Sequence, residues 1–224
     1  MIGIIGALAI EADTLKQNLE NPQIKKISSI EFWFGELWGT RVVIAVSGVG
    51  KVNAAICAQT MILEFKPDLI INTGIAGGYA GAGLNVGDVI TATGVVQHDF
   101  DTSPFDPPGT VTIPQVGGVT YFPCTAISVA NVKPGIIATG DQFINSGARA
   151  KEVAEKFDAI AFEMEGGSIG QVCYINHIPF CAIRAISDNG DDNSHVDMED
   201  FGPRAAENSI EILKNFLTTR RTTK

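Results

Sequence analysis

At 224 residues, 45% of them hydrophobic and 18% charged, the chain is long enough for one large folded domain and too apolar for disorder. A net charge of -9 argues against a nucleic-acid partner, because phosphate binding needs basic patches, and no run reaches the ~20 apolar residues of a membrane span. The four cysteines (Cys57, Cys124, Cys173, Cys181) make no C-x-x-C pair and no Cys/His cluster, which predicts small buried hydrophobes, a cytoplasmic setting with reduced thiols, and no metal site.

Ile2 to Ala9 is a continuous apolar run, as expected of a central strand buried on both faces; it lacks the basic start of a signal peptide. The helix-like segment Ile10 to Asn18 follows, so Glu11 stands at the carboxyl end of that strand. Ile27 to Leu37 is strand-like. Arg41 to Val46 is a buried strand that ends in Ser47-Gly48-Val49-Gly50. That glycine turn opens a helix from Lys51 to Glu64, with Ala54, Ala55, Ala58, Met61 and Ile62 on its packing face. Lys66-Pro67-Asp68 stops it. Leu69 to Asn72 is the next strand, ending in Thr73-Gly74-Ile75-Ala76-Gly77-Gly78, and a longer one runs from Val86-Gly87-Asp88 to about Val96.

From Gln97 to Gly118 four prolines and several glycines predict a loop, with short edge strands at most. Its length suits a lid or an interface better than an idle connection. The alternation then resumes: a strand from Gly135 to Thr139 ending in Gly140-Asp141, a helix from Gly147 to Phe157, and a strand from Ala159 to Phe162. Phe180 to Ile186 is a further strand, ending in Ser187-Asp188-Asn189-Gly190. Glu199 to Leu217 reads as a terminal amphipathic helix, with Ala205, Ile210, Leu213 and Leu217 on one face. The basic cluster Arg220-Arg221-Thr222-Thr223-Lys224 reads as a frayed terminus.

Strands alternating with helices imply a mostly parallel sheet with helices outside it, formed by a single domain over 1–224. In such sheets ligands bind at the carboxyl ends of the strands. The polar and glycine residues cluster there: Glu11, Ser47-Gly48, Thr73 to Gly78, Gly140-Asp141, Glu163 to Glu165 and Ser187-Asp188. The stretch Ala161-Phe162-Glu163-Met164-Glu165-Gly166-Gly167 is the most unusual. Two carboxylates flank one thioether at a strand-to-helix junction, before a helical run from Ser168 to Tyr174. Acids are also ordinary in a first helical turn.

Three chemistries accommodate several acids at one sheet edge. A divalent metal site would draw carboxylates to one point, but Met164 and Phe143 are apolar neighbours. A phosphate cradle would use the glycine turns, yet Ser47-Gly48-Val49-Gly50-Lys51 lacks the G-x-x-x-x-G-K-[ST] spacing. Cleavage at an anomeric carbon passes through a cationic, oxocarbenium-like transition state, and there one acid protonates the leaving group, one activates water and one holds sugar hydroxyls. The last fits three acids best.

The segments Ile4-Ile5-Gly6-Ala7 with Glu11, Ser47-Gly48-Val49-Gly50-Lys51-Val52-Asn53-Ala54, Asn72 to Gly78, Val86-Gly87-Asp88, His98-Asp99, Gly140-Asp141-Gln142-Phe143-Ile144, Glu163-Met164-Glu165 and Arg184-Ala185-Ile186-Ser187-Asp188 span nearly the whole chain. In that order they resemble the 5′-methylthioadenosine/S-adenosylhomocysteine nucleosidases of the nucleoside phosphorylase superfamily. The resemblance implies an α/β, three-layer fold with a mostly parallel, mixed central sheet and helices on both sides. It implies cofactor-free hydrolysis of the adenine–ribose bond of 5′-thio nucleosides, with 5′-deoxyadenosine as a further substrate. Glu11 would activate water. Asp188, helped by Ser187, would protonate adenine N7, and Glu165 would accept from the ribose hydroxyls, oriented by Arg184. Met164 would pack on the ribose and Phe143 on adenine. Ile144, Ala76 and Gly77 would offer backbone to the base, and Glu163 would touch the nucleoside by its backbone or simply favour the helix start. The resemblance also implies a homodimer in which segment 99–105 closes the partner's site. Thr102 and Phe105 would then cover the 5′ group, together with Leu8 and Met198.

The chain departs from the family at Ile75 (often Ser), at Met198 (more familiarly Phe) and over Asp106 to Tyr121. Phosphorylases of the same superfamily hold phosphate with arginine, which is scarce here, and Glu11 would repel the anion; water is therefore the expected nucleophile. The alternatives are a phosphorylase, a hydrolase of another 5′-modified adenosine such as 6-amino-6-deoxyfutalosine, and a non-catalytic nucleoside-binding protein.

Overall fold

The computed structural model describes residues 1–127 and 129–221; the end of the basic tail, Thr222 to Lys224, lies outside the described residues. In chain order, β1 (Ile2–Gly6) is buried along its whole length and leads into α1 (Ala9–Gln17). A hairpin of β2 (Glu20–Ile27) and β3 (Ile30–Leu37) precedes β4 (Thr40–Val46), α2 (Lys51–Phe65) and β5 (Leu69–Gly78). Then come β6 (Val89–Gln97), the small hairpin β7 (Val111–Ile113) and β8 (Gly117–Val119), and the short β9 (Phe122–Pro123). The chain ends with β10 (Val132–Thr139), α3 (Gly147–Phe157), β11 (Ala159–Glu163), α4 (Gly166–Ile175), β12 (Phe180–Asp188) and α5 (Ser194–Arg221).

The sheet runs β11-β10-β6-β12-β5-β1-β4-β3-β2. β5 pairs in parallel with β1 and β12, and β10 with β6 and β11, while β12–β6 and the β4-β3-β2 edge are antiparallel. β11 also pairs antiparallel with β5, Phe162 facing Gly77. Strands β5, β12, β6, β10 and β11 therefore close into a ring, and the α/β sheet is mixed as expected. Cys57, Met61, Ile169 and Cys173 of α2 and α4 pack one apolar core; Leu15, Leu213 and Leu217 of α1 and α5 belong to another. A third lies beneath α3 around Val153 and Phe157. Among the described residues no helix is long and apolar enough to cross a membrane. The cysteines are free, three of them buried, and burial pushes the Cys57, Cys173 and Cys181 thiols up to about 12.

Several elements differ from the sequence expectation. The strand read as Ile27 to Leu37 is broken at Ser28-Ser29, both with positive φ, which form a two-residue turn between β2 and β3. β2 was not expected because it is an edge strand exposed along nearly its whole length, so no apolar alternation marks it. The second is β5. The strand read as Leu69 to Asn72 continues through Thr73 to Gly78, because β12 pairs with the backbone from Thr73 to Gly77 and β11 with Gly77 and Gly78. Conversely, Val86 to Asp88 form a turn before β6. α5 begins five residues before the expected Glu199 and accommodates Pro203.

Candidate active site

A cavity of about 240 Å³ opens at the carboxyl edge of the sheet, and Glu11, Glu165 and Asp188 all line it. Ala7, Leu8 and Glu11 come from the β1–α1 junction; Ile75, Ala76 and Gly77 come from the end of β5. Phe162, Glu163, Met164 and Glu165 enter from β11, Ser187 and Asp188 from β12, and Phe143, Val49 and Met198 complete the wall.

Glu11 is the third residue of α1 and reaches back over the helix start. Its Oε2 accepts from the Ala7 and Leu8 N–H groups at 2.6 and 2.9 Å, and its Oε1 accepts from the Ile75 N–H at 3.0 Å. Three backbone donors, two from the β1–α1 junction and one from β5, fix this carboxylate, which is buried but faces the cavity.

Asp188 ends β12. Its Oδ2 accepts from the Ser187 hydroxyl at 2.8 Å and its Oδ1 from the Gly190 N–H at 3.0 Å. Burial raises its pKa against the pull of both hydrogen bonds, and Asp197 adds to the rise. The protonated form is thereby favoured, which suits a proton donor.

Glu165 caps α4, and its Oε1 accepts from the Gly50 N–H at 2.8 Å. The glycine turn after β4 thus holds an acid rather than a phosphate. Burial, and next the Glu163 carboxylate, push the Glu165 pKa up to about 8. The folded state therefore keeps a proton that the unfolded chain releases above its ordinary value of 4.5. Stability should be greatest below that value and fall as pH rises to about 8, by a few kcal/mol at most. Melting temperatures measured across this window should decline in the native protein and flatten in Glu165→Gln; equal slopes in both would refute the assignment.

Arg184 is placed differently from the sequence expectation. It does not orient Glu165: its Nη2 donates to Glu163 Oε2 at 2.6 Å and to Asn72 Oδ1. It is fully buried on β12, beneath the cavity rather than in its wall. Burial works to lower its pKa, but the charges of Glu163, Glu11 and Glu165 outweigh that and raise it. Glu163 in turn accepts from the Thr139 hydroxyl and from the Glu165 and Gly166 N–H groups at 3.0 and 2.7 Å, so its carboxylate starts α4. Of the two roles expected for Glu163, its side chain fills the helix-start one. Thr139 and Asn72, which complete this network, were not predicted as supports because a lone strand Thr or Asn carries no sequence signal.

The walls are apolar. Phe143 and Met164 line the cavity as expected, as do Leu8 and Met198. Ala7, Val49 and Phe162 were missed, although each adjoins a quoted motif. The Ile144 side chain is buried in the third core and does not line the cavity. Asp141 also stays outside, where it accepts from the Lys51 N–H and donates its own N–H to Asp99. Thr102 and Phe105 do not reach the cavity of their own chain, and Phe105 is 89% exposed. Among the described residues no three His, Cys, Asp or Glu side chains are grouped to hold a metal ion.

A family model described as the phosphorylase superfamily matches residues 1–218. A 5′-methylthioadenosine/S-adenosylhomocysteine nucleosidase of Bacillus subtilis is 39% identical over 222 residues, covering 95% of this chain and 96% of the relative. The crystal structure of the nucleosidase of the same description from Neisseria meningitidis, in complex with methylthio-immucillin-A, superposes with a TM-score of 0.90 at 34% identity, covering 97% of this chain and 98% of that one. A futalosine hydrolase mutant of Helicobacter pylori gives a TM-score of 0.87 at 30% identity, covering 96% and 97%. With three acids around one sheet-edge cavity and these full-length matches, the chain belongs to the phosphorylase superfamily and, within it, to the 5′-methylthioadenosine/S-adenosylhomocysteine nucleosidases, a family of N-glycosyl hydrolases.

Proposed function

We propose that this chain hydrolyses the N-glycosidic bond of 5′-methylthioadenosine and S-adenosylhomocysteine, and of 5′-deoxyadenosine, releasing adenine and the 5′-substituted ribose. Glu11 takes a proton from water as its oxygen bonds to the anomeric carbon. The bond to adenine N9 breaks, and Asp188 delivers a proton to N7. Glu165 offers its second oxygen to the ribose hydroxyls, since Gly50 already occupies the first. At the raised pKa its carboxyl can donate one hydrogen bond and accept another, which matches a pair of hydroxyls. Phe143 presents a ring to the purine, and Leu8, Ile75 and Met198 offer an apolar wall to a thioether.

The observation that carries this reading is the meeting of Glu11, Glu165 and Asp188 on one cavity whose described lining contains no arginine or lysine. A phosphate nucleophile would need fixed cations there. The decisive experiment is a panel of 5′-modified adenosines incubated with and without phosphate, reading free adenine. Phosphate-independent adenine release from 5′-methylthioadenosine is expected. A requirement for phosphate, with a ribose 1-phosphate product, would overturn the hydrolase. No release from any substrate would leave a nucleoside-binding protein.

A second reading rests on the futalosine hydrolase likeness. Adding 6-amino-6-deoxyfutalosine to the panel separates the two by relative kcat/KM.

The site works as part of a homodimer in this reading, with segment 99–105 closing the neighbour's 5′ pocket. Support comes from the exposed Phe105 and from an apolar stripe on α2, where Val52 and Leu63 are 70% and 64% exposed. Lys51 anchors the segment by an ion pair to Asp99 at 2.7 Å. Sedimentation at micromolar concentration should give twice the 23.7 kDa chain mass. A monomer with full turnover would remove the role given to Thr102 and Phe105.

A further inference from the structure

We infer that Gly74 and Gly77 of β5 are positioning residues for the reaction, each omitting a side chain so that one of the two reacting carboxyls rests against the bare strand; this rests on the roles proposed above for Glu11 and Asp188. A Cβ built on Gly74 would overlap Glu11 Oε1 and lie 2.6 Å from its Cδ and 3.0 Å from Oε2. All three nearest atoms belong to that one carboxylate. The next residue, Ile75, donates its N–H to the same Oε1. Gly74 thus makes room for the carboxylate that Ile75 then holds.

Gly77 repeats the arrangement for the other acid. Its Cβ would lie 2.9 Å from Asp188 Oδ1 and 3.6 Å from Cγ and Oδ2. The two differ in backbone: Gly74 has φ 156°, which itself favours glycine, whereas Gly77 does not have a positive φ, so only the space beside Asp188 calls for glycine there. The adjacent Gly78 differs: its Cβ would strike the Ile186 side chain, an ordinary core constraint. Three residues of extended chain separate the two seats by ~10 Å. One strand, held by β12 from Thr73 to Gly77 and by β11 at Gly77 and Gly78, therefore sets the distance between the group that activates water and the group that protonates the base.

Gly74→Ala should keep its affinity for adenine and lose ~10²-fold in kcat, the scale expected when a reacting group shifts by about 1 Å, and it should also melt at a lower temperature, because alanine is strained at the Gly74 φ of 156°. Glu11→Asp alone should slow the enzyme. In the Gly74→Ala background it should speed it, because the shorter side chain withdraws the carboxylate from the new methyl group. Gly77→Ala should likewise lower kcat, and the loss in kcat should be at least about tenfold smaller in the Asp188→Asn background than in the native one, as expected when two changes act largely through one group; because Gly77 also lines the cavity, any loss of substrate affinity should be the same in both backgrounds. Thermal melts report whether each variant folds, and if Gly74→Ala does not, the Gly77 cycle decides. The inference is overturned if both alanine variants turn over at native rates, or if their effects multiply independently of the acids. If Glu11→Ala and Asp188→Ala themselves remain fully active, the proposed roles fail first and this assignment falls with them.

Discussion

Glu11→Gln should leave a folded protein whose adenine release is slower by ~10²–10⁴-fold, and Asp188→Asn should do the same, the scale of a lost proton transfer. The two variants are nearly isosteric, so each removes proton chemistry while leaving the cavity shape. In Glu11→Gln the amide oxygen can keep the two N–H groups of Ala7 and Leu8, and the amide nitrogen then faces the Ile75 N–H, two donors opposed. That mismatch should cost about 1–3 kcal/mol of stability, well short of unfolding the chain. In Asp188→Asn the oxygen can keep the Gly190 N–H, and the amide can donate to the Ser187 hydroxyl. Stability should barely change. The losses should fall on kcat, with substrate affinity within an order of magnitude. Near-native turnover in either variant would refute the role given to that acid.

Arg184→Met should lower the melting temperature by ~10 °C, the second large effect expected. Arg184 is the buried countercharge to Glu163 and carries the influence of Glu11 and Glu165 as well. Removing it leaves Glu163 buried with only the Thr139 hydroxyl and two helix N–H groups. Breaking a buried pair from one side typically costs 3–5 kcal/mol, and in a chain of this length each kcal/mol shifts the midpoint by about 2–4 °C. Glu163→Gln added to Arg184→Met should recover part of the loss, because the stranded charge is gone. A melting temperature within a degree or two of native in the single variant would show that Glu163 does not depend on this partner. Both results bear on the site, because Glu163 fixes the start of α4 and so the place of Glu165.

The residues proposed to carry the chemistry were legible because each stands where an apolar strand gives way to a polar or glycine turn. Glu11 after Ile2–Gly6, Glu165 after Ala159–Glu163 and Asp188 at the end of Phe180–Asp188 all follow that rule, and the α/β alternation predicted that they would share one edge. Helix α3 fell on its expected bounds, since its apolar residues keep a clean helical spacing. Edge strand β2 did not show, because a strand with solvent on most sides needs no apolar pattern.

By itself the sequence determined the α/β alternation, the edge on which ligands gather and the acids that meet there, because burial imposes its periodicity directly on residue type. Only the tertiary structure decided which acid takes which partner. No sequence argument chooses between the two glutamates for Arg184; its pairing with Glu163 depends on β5 lying between β11 and β12, with Phe162 facing Gly77 and Arg184 facing Gly74. The bare strand at Gly74 and Gly77, the closure of β5 onto β11 and the protonation bias of Glu165 and Asp188 are equally non-local. They depend on which backbone approaches which carboxyl, and on how much water is left around it, and neither quantity is written in any one segment of the chain.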